Sequence, residues 1–454
     1  MTAAHGTLHV LDQPEATAGE PRPGVSRRRG TAERAAGLIA CASMVFQPIL
    51  QPTGPANSSP VDLLTLGTVL MGLLWVATSG RRLGAPYAIG MGVLVVTGAV
   101  AGLAGPLPGT SLLTLSKDIL LIIWCFVLYN IARRPRMLRL LTASFAYSAV
   151  VWATVLAFGV AAHIRAIEGN SAQWDNRVVF TLGNPNYAAA YWVTALFMVF
   201  ATKCPRSPWA RWYAYAVLLW ALMLSWSNGG LLQLLVGLAF IALVTVYRKY
   251  GVAASLALLL TIAVTVCGAL QVVSVGKAQE WARQSEQSFV ANTLGRSEKG
   301  ATQRQTLVDE SLRLYSDHGV LGSGPGTTRG VLQEEQAAYA NEAHNDYLAA
   351  LVERSPMGVV GIVILLLSAG WRASVVLRAP PGEGFAAQVP RPLGVVAALL
   401  AMGLAGTYRE VLHYRFAWIL LALVAVLASM PDPDHPDAVR TAAKAHRGRS
   451  GGRP

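Results

Sequence analysis

LLQLLVGLAFIALVTVYRKYGVAASLALLLTIAVTVCGA, residues 231–269, is two apolar runs separated by a basic pair, Arg248 and Lys249. Each run is close to the ~20 residues an α-helix needs to cross the hydrocarbon core of a bilayer. The apolar residues are continuous rather than alternating. That makes them helices, which satisfy their own backbone in lipid, and not strands of a barrel.

The same pattern recurs along the chain. Apolar runs centre near residues 43, 70, 94, 122, 151, 193, 217, 238, 264, 362, 400 and 422. The 454 residues are 53% hydrophobic and only 13% charged, with a mean hydropathy of +0.43, too little charge to coat a soluble globule of this length. The expected fold class is all-α: a polytopic integral membrane protein of about 12 transmembrane helices, with one large extracytoplasmic loop containing short helices.

A net charge of +13 could suggest a nucleic-acid partner, but its placement reads as topology. Basic residues occupy the N-terminal tail (Arg27, Arg28, Arg29) and then follow every even run: Arg81 and Arg82; Arg133, Arg134, Arg136 and Arg139; Lys203, Arg206 and Arg211; Arg248 and Lys249; Arg372 and Arg378; and the C-terminal tail. The alternate loops 51–60, 105–111 and 226–230 contain none. By the positive-inside rule both termini are cytoplasmic. The boundaries that follow are a disordered cytoplasmic tail over 1–34, helices one to nine over 35–276, an extracytoplasmic loop over 277–345, helices ten to twelve over 346–430, and a disordered cytoplasmic tail over 431–454. Arginine greatly outnumbers lysine, as in proteins from G+C-rich bacterial genomes.

Several chemistries are set aside. Cys41, Cys125, Cys204 and Cys267 lie in or beside helices, so no extracytoplasmic disulfide or cysteine metal site is expected. The Asp-x-Asp in "PDPD" (431–434) sits in a Pro-rich tail, and no HExxH or other ligand spacing supports a catalytic metal. "GSGPGTTRG" (322–330) lacks the Gly-Lys-Ser/Thr ending of a phosphate loop and reads as a tight external turn. The single Arg313-x10-Gly324 spacing reads as chance.

Within the long loop, residues 301–318 predict an amphipathic helix lying along the membrane surface and stopping before Gly319. Its apolar side is Leu307, Val308, Ser311, Leu312 and Leu314, with Arg304 and Asp309 elsewhere. The glycine-rich turn follows, then "NEAHNDYLAALVERSPMG" (341–358), which runs from polar residues straight into an apolar segment. This order returns Arg304 and His344 towards one edge of the membrane.

An Arg-led helix, "GSGPG", a polar spacer and "AHNDYLAALVERSPMG" entering a hydrophobic helix together resemble the signature region of the O-antigen ligase and polymerase superfamily. "GNPNYAAAYW" (183–192) resembles the Gly-x-x-Asn stretch that opens a mid-chain helix in that family. The resemblance spans roughly residues 60–430. Two departures stand out. Ser227-Asn228-Gly229 occupies the place of a Ser-Arg-Gly-like element, so an arginine sometimes assigned to substrate phosphate is missing. Glu353-Arg354-Ser355-Pro356 stands where Glu-x-Gly is common, and Pro356 should end or kink a helix starting near Asp346.

The resemblance implies transfer of a glycan from a polyprenyl-diphosphate carrier to an acceptor hydroxyl at the outer face of a bacterial cytoplasmic membrane. The donor carries its own leaving group, so no cofactor and no metal is implied. Arginine forks can stabilise the departing diphosphate, and a neutral histidine with a pKa near ~6.5 suits the acceptor's proton. His344 is then the general base and Arg304 the first diphosphate ligand. Asn345 and Asp346 either orient His344 and meet substrate or N-cap the following helix. Asn186, through the Gly-x-x-Asn match, and Arg177 are further substrate contacts, the latter in a stretch with Arg165 and Trp174. Arg409 and Arg415 bracket "EVLHY" (410–414), with His413 between them, as substrate ligands or as surface anchors. Lys117 and Asp118 are expected either to face the protein interior or to pair with each other.

Ligase, polymerase and protein O-oligosaccharyltransferase share this donor chemistry and differ in acceptor, so the expected partners are a lipid-linked glycan, a glycan, lipid or protein acceptor, and the bilayer. A polytopic transporter, the reading from a different class, would show midplane charges and repeat symmetry. Neither is evident in the sequence.

Overall fold

The computed structural model describes residues 23–429 apart from 54–57, 81–82, 170–176, 273–274, 288–289, 292–296, 319, 338–339 and 380–383. The apolar runs form α1 (Pro23–Val45), α2 (Pro60–Ser79), α3 (Ala88–Ala104), α4 (Pro108–Ala132), α5 (Pro135–Ala161), α7 (Pro185–Thr202), α8 (Pro208–Leu224) and α9 (Asn228–Val272). After the long loop come α13 (Asp346–Arg378), α14 (Leu393–Ala405) and α15 (Arg415–Leu427). A four-residue α6 (Arg165–Glu168) lies between α5 and α7, and α10 (Val275–Arg283), α11 (Ser297–His318) and α12 (Thr328–Glu334) belong to the loop. No strand occurs among the described residues.

Proline sets many of the starts. Pro60, Pro108, Pro135, Pro185 and Pro208 each open a helix at its first turn, where the missing N–H would have had no partner. Pro23 opens α1 in the same way, so helix begins inside the stretch expected to be a disordered tail. Residues 431–454, the other expected tail, lie outside those described.

Every expected apolar centre falls within a helix, and two long helices are broken. Gly251 (φ 83°, ψ −173°) divides α9 beside Arg248 and Lys249, between the two runs quoted above. Ser255 Oγ reaches the Leu243 carbonyl at 3.3 Å, where a straight helix would hold residues twelve apart ~18 Å from each other, so the arms fold back. Ser355 (φ 72°, ψ 172°) divides α13 into a short arm, 346–354, and a long one. Five described helices, α2, α4, α5, α9 and α13, are long and apolar enough to cross a membrane; α3, α14 and α15 are apolar but shorter. The protein is a polytopic helical membrane protein.

Helices α7 and α15 form the centre, since both are apolar around nearly their whole circumference and buried along nearly their whole length. The long arm of α13 crosses α3 closely because Gly90 has no Cβ; one there would lie 2.8 Å from the Leu365 amide nitrogen. In α11 the buried stripe is Leu307, Ser311 and Leu314. Val308 and Leu312, expected on the same side, are exposed because each sits ~100° further round than Leu307 or Ser311. Leu314 packs instead with Val331 of α12 and Leu348, Ala349 and Val352 of the short arm, which seats the loop on α13.

Candidate active site

The break in α13 builds the site. Pro356 has no N–H to give the Val352 carbonyl, and Ser355 turns the chain out of helical geometry, so the last carbonyls of the short arm need outside donors. The glycine-rich turn supplies them: Ser323 N–H donates to Val352 O at 2.9 Å and Gly324 N–H to Glu353 O at 3.0 Å. The Glu353 carboxylate accepts from Gly326 N–H at 2.8 Å and Thr328 Oγ1 at 2.7 Å. Gly324 (φ 103°) allows this docking, because a Cβ there would stand 2.2 Å from Ser111 Oγ. "GSGPGTT" is a clasp around Glu353 and not a phosphate cradle.

Arg354, next along the short arm, points the other way. Its guanidinium donates to the mid-helix carbonyl of Leu94 at 2.9 Å and pairs with Asp118 of α4. Asp118 therefore faces inward, as one of the two readings had it, and pairs with Arg354.

At the start of the arm, Asn345 Oδ1 accepts from the Tyr347 and Leu348 amides at 2.9 and 3.2 Å: it is the N-cap. Asp346 donates its N–H to Gly406 O at 2.9 Å and accepts from the Val411 and Leu412 amides at 3.0 and 3.3 Å, so it clamps the segment between α14 and α15. His344 adopts a left-handed backbone (φ 51°) and donates its N–H to Glu410 Oε1 at 3.0 Å. Glu410 Oε2 lies 3.8 Å from His413 Nδ1. Tyr408 OH, from the same segment, donates to Gly229 O at 2.8 Å at the start of α9.

The remaining candidates divide. Arg177 is buried; its Nε donates to Ser225 O at 2.8 Å and its Nη2 to Asn186 Oδ1 at 3.1 Å, where Ser227 Oγ also donates at 2.8 Å. These join the ends of α7, α8 and α9 at the layer Tyr408 reaches. Arg415 instead forks onto Asp62, with Nε–Oδ1 at 2.7 Å and Nη2–Oδ2 at 2.6 Å, and ties α15 to α2. Arg409 is half-buried beside Glu410. Arg304 lies on α11, its side chain outside the described residues, as is all of Trp174.

The short arm of α13 and the segment between α14 and α15 enclose a cavity of about 40 Å³, room for a few waters, lined by Asp118, Asp346, Glu353, Arg354, Glu410 and His413 with Leu94, Ile122 and Trp418; His344 does not line it. Burial pushes Glu410 up to about 8, with neighbouring Glu353, Glu342 and Asp346 reinforcing the shift against the opposing effect of His413. For His413, burial alone would lower the value, but the surrounding carboxylates, Glu410 first, carry it above the ordinary one. Its side chain lines the cavity and is 44% exposed. Glu353, Arg354 and Glu410 were not singled out from sequence as site residues. Among the described residues, no group of three or more His, Cys, Asp and Glu is arranged to hold a metal ion.

The fold and this layer of polar groups define a membrane-embedded helical protein with a polar site at one end of its bundle. Residues 213–366, about a third of the chain, match the family model described as O-antigen ligase, which supports the likeness to the O-antigen ligase and polymerase superfamily. The match runs from α8 through His344 into the long arm of α13; Arg409, Glu410 and His413 lie beyond it. It supports a function of ligase or polymerase type in cell-surface glycan biosynthesis, with a lipid-linked glycan and an acceptor as partners. No curated protein sequence matches the chain.

Proposed function

We propose that this protein transfers a glycan from a polyprenyl-diphosphate carrier to an acceptor hydroxyl, at the outer face of a bacterial cytoplasmic membrane and without a metal ion. In this reading the chain crosses twelve times, α9 counting twice because of the fold-back at Gly251, with both termini cytoplasmic. The supporting observation is the setting of His344: its N–H is held by Glu410, Asn345 and Asp346 fix the segment that follows it, and Glu410 and Asp346 line a polar cavity.

His344 takes the acceptor proton as the acceptor oxygen forms its bond to the anomeric carbon. The bond from that carbon to the carrier phosphate breaks, and its electron pair leaves with the diphosphate. Arg304 and Arg177, with Arg409, are assigned to that growing charge, which guanidinium forks stabilise most where the site is dry. Arg177 is anchored by Ser225 and Asn186 and so meets an anion at little further ordering cost. Arg415 is assigned to structure, because both sides of its fork are engaged by Asp62. A positioned base contributes roughly 10²–10⁴-fold.

The test is turnover of a synthetic polyprenyl-diphosphate glycan by the full chain in liposomes containing EDTA, with lipid-core, glycan and serine- or threonine-peptide acceptors in parallel. His344→Ala is expected to lose about 10²-fold or more in kcat and Arg304→Ala to lose a comparable factor. Which acceptor is consumed separates ligase, polymerase and protein glycosylation. Dependence on a divalent metal, or unchanged turnover in both variants, would overturn the reading; solute movement without donor consumption would indicate a transporter.

A further inference from the structure

At the opposite end of α13 lies an open groove of about 410 Å³ that the transfer reaction does not use. Its wall is Leu367, Ser368, Trp371 and Val375 of α13, with Ala428 just past the end of α15, and Arg372 stands within it. The Arg372 guanidinium lies over the Tyr87 ring, 5.1 Å from its centroid, and Tyr87 is held by its hydroxyl donating to Leu421 O at 3.1 Å. The cation is therefore fixed in place by a ring that accepts none of its N–H bonds in the ordinary sense.

Four other arginines of the bundle have polar partners: Arg134 has Glu33, Arg354 has Asp118, Arg415 has Asp62, and Arg248 donates to Leu377 O, whereas Arg133 and Arg391, like Arg372, lie over a ring, that of Tyr129 and Phe200. Arg372 has neither an ion pair nor a hydrogen bond among the described residues. Five donors in a planar fork are available to an oxyanion. The adjoining wall is apolar and open to the side, with Leu367 and Trp371 69% and 67% exposed. Arg372 follows Pro356 by a helix length of ~24 Å, which puts it near the far side of a ~30 Å hydrocarbon core, at the depth where phospholipid phosphates sit.

We propose that this groove binds one anionic phospholipid of the cytoplasmic leaflet, its phosphate on Arg372 and an acyl chain along Trp371 and Leu367. A free phosphate would use the guanidinium but not the apolar wall; a lipid uses both, and a basic pocket between helices on this side is suited to such a headgroup. The site rests on the cytoplasmic orientation given above and is independent of the transfer reaction.

The test is native mass spectrometry of the full chain in detergent titrated with phosphatidylglycerol or phosphatidylcholine. One phosphatidylglycerol per chain is expected to be retained about tenfold more tightly than phosphatidylcholine, the order of one charge-assisted contact. Arg372→Gln should lose that molecule, and Arg372→Lys should keep it more weakly. Equal retention by Arg372→Gln would overturn the proposal. So would displacement by millimolar inorganic phosphate, which marks a free-anion site. Retention that appears only after Asp432→Asn and Asp434→Asn would give the groove to the chain's own tail. An unchanged melting temperature for Arg372→Gln distinguishes loss of lipid from loss of fold.

Discussion

Replacing Glu410 should damage transfer in a graded way set by one hydrogen bond. A left-handed backbone such as that of His344 costs a residue other than glycine about 1–2 kcal/mol, so something must hold it there. Glu410 Oε1 does so at 3.0 Å, and above the pH of about 8 at which Glu410 ionises a hydrogen bond to its charged carboxylate is worth about 1.5–3 kcal/mol. Glu410→Ala removes the acceptor and leaves the His344 N–H free to relax, which releases the imidazole from its position. If that whole energy is expressed in the transition state, kcat falls about 10–150-fold, since ~1.4 kcal/mol is a decade. Glu410→Gln retains a carbonyl acceptor of ordinary strength, about 1 kcal/mol, and should fall nearer tenfold. The assay is the liposome transfer reaction above pH 8, where Glu410 is ionised, at saturating donor and with KM measured alongside. Glu410 touches no substrate in this account, so the loss should appear in kcat with KM little changed. A well-folded Glu410→Ala variant within twofold of the parent would refute the positioning argument.

Two further outcomes follow from the cavity. Asp118→Asn should destabilise the protein in detergent by about 3–5 kcal/mol by leaving Arg354 buried beside a neutral group, whereas Asp118→Leu with Arg354→Met should recover much of that loss; equal melting temperatures for the single and double variants would sink the coupling. Melting temperature should also decline as pH rises from about 5 to above 8. Folded Glu410, raised to about 8 from an ordinary 4.5, keeps a proton that the unfolded chain has lost, so its stabilisation is complete below 4.5 and gone above 8. His413, also raised, acts in the same direction, complete below its ordinary 6.5 and lost as pH rises through its folded value. Glu410→Gln should flatten the decline, and a parent whose stability rises over that range would contradict the assignment.

What the sequence made legible was what lies close in the chain. Continuous apolar runs announced the helices, and the Asn-Asp pair after His344 a cap, because each signal and its consequence are within a few residues. Glu410 was within view in "REVLHY" but had no local reason to matter; its partner His344 is 66 positions earlier. Arg354 and Asp118 are 236 apart. A signal existed for that pair: two opposite charges in apolar helices each demand a partner, and matching them across helices, rather than Asp118 with its neighbour Lys117, would have found it. The face of α11 was misjudged for a different reason, since alternative apolar stripes on a loop helix are decided only by what packs against it.

The departure at Ser355 is where sequence and geometry bear most directly on each other. The resembled family commonly has glycine there, and the structure gives a physical cause: φ 72° with ψ 172° is backbone that glycine occupies freely and other residues at a cost of about 1–3 kcal/mol. The same conformation, φ 83° with ψ −173°, occurs at the other break, and there the residue is Gly251. The serine offsets part of the strain, since its Oγ accepts from the Met357 amide at 3.3 Å, a long and therefore weak bond. The break itself is required, because it exposes the carbonyls on which Ser323 and Gly324 dock and so carries the loop onto the short arm. Ser355→Gly should therefore leave the architecture intact and stabilise it by about 1 kcal/mol, the relief of strain less the extra chain entropy of glycine. Thermal unfolding of the purified protein in detergent measures it. Ser355→Ala, which keeps the strain and loses the Oγ contact, should move the melting temperature the other way. If instead glycine destabilises and alanine does not, the bend at 355 is held by the docked loop alone and the residue's own backbone preference is irrelevant to it.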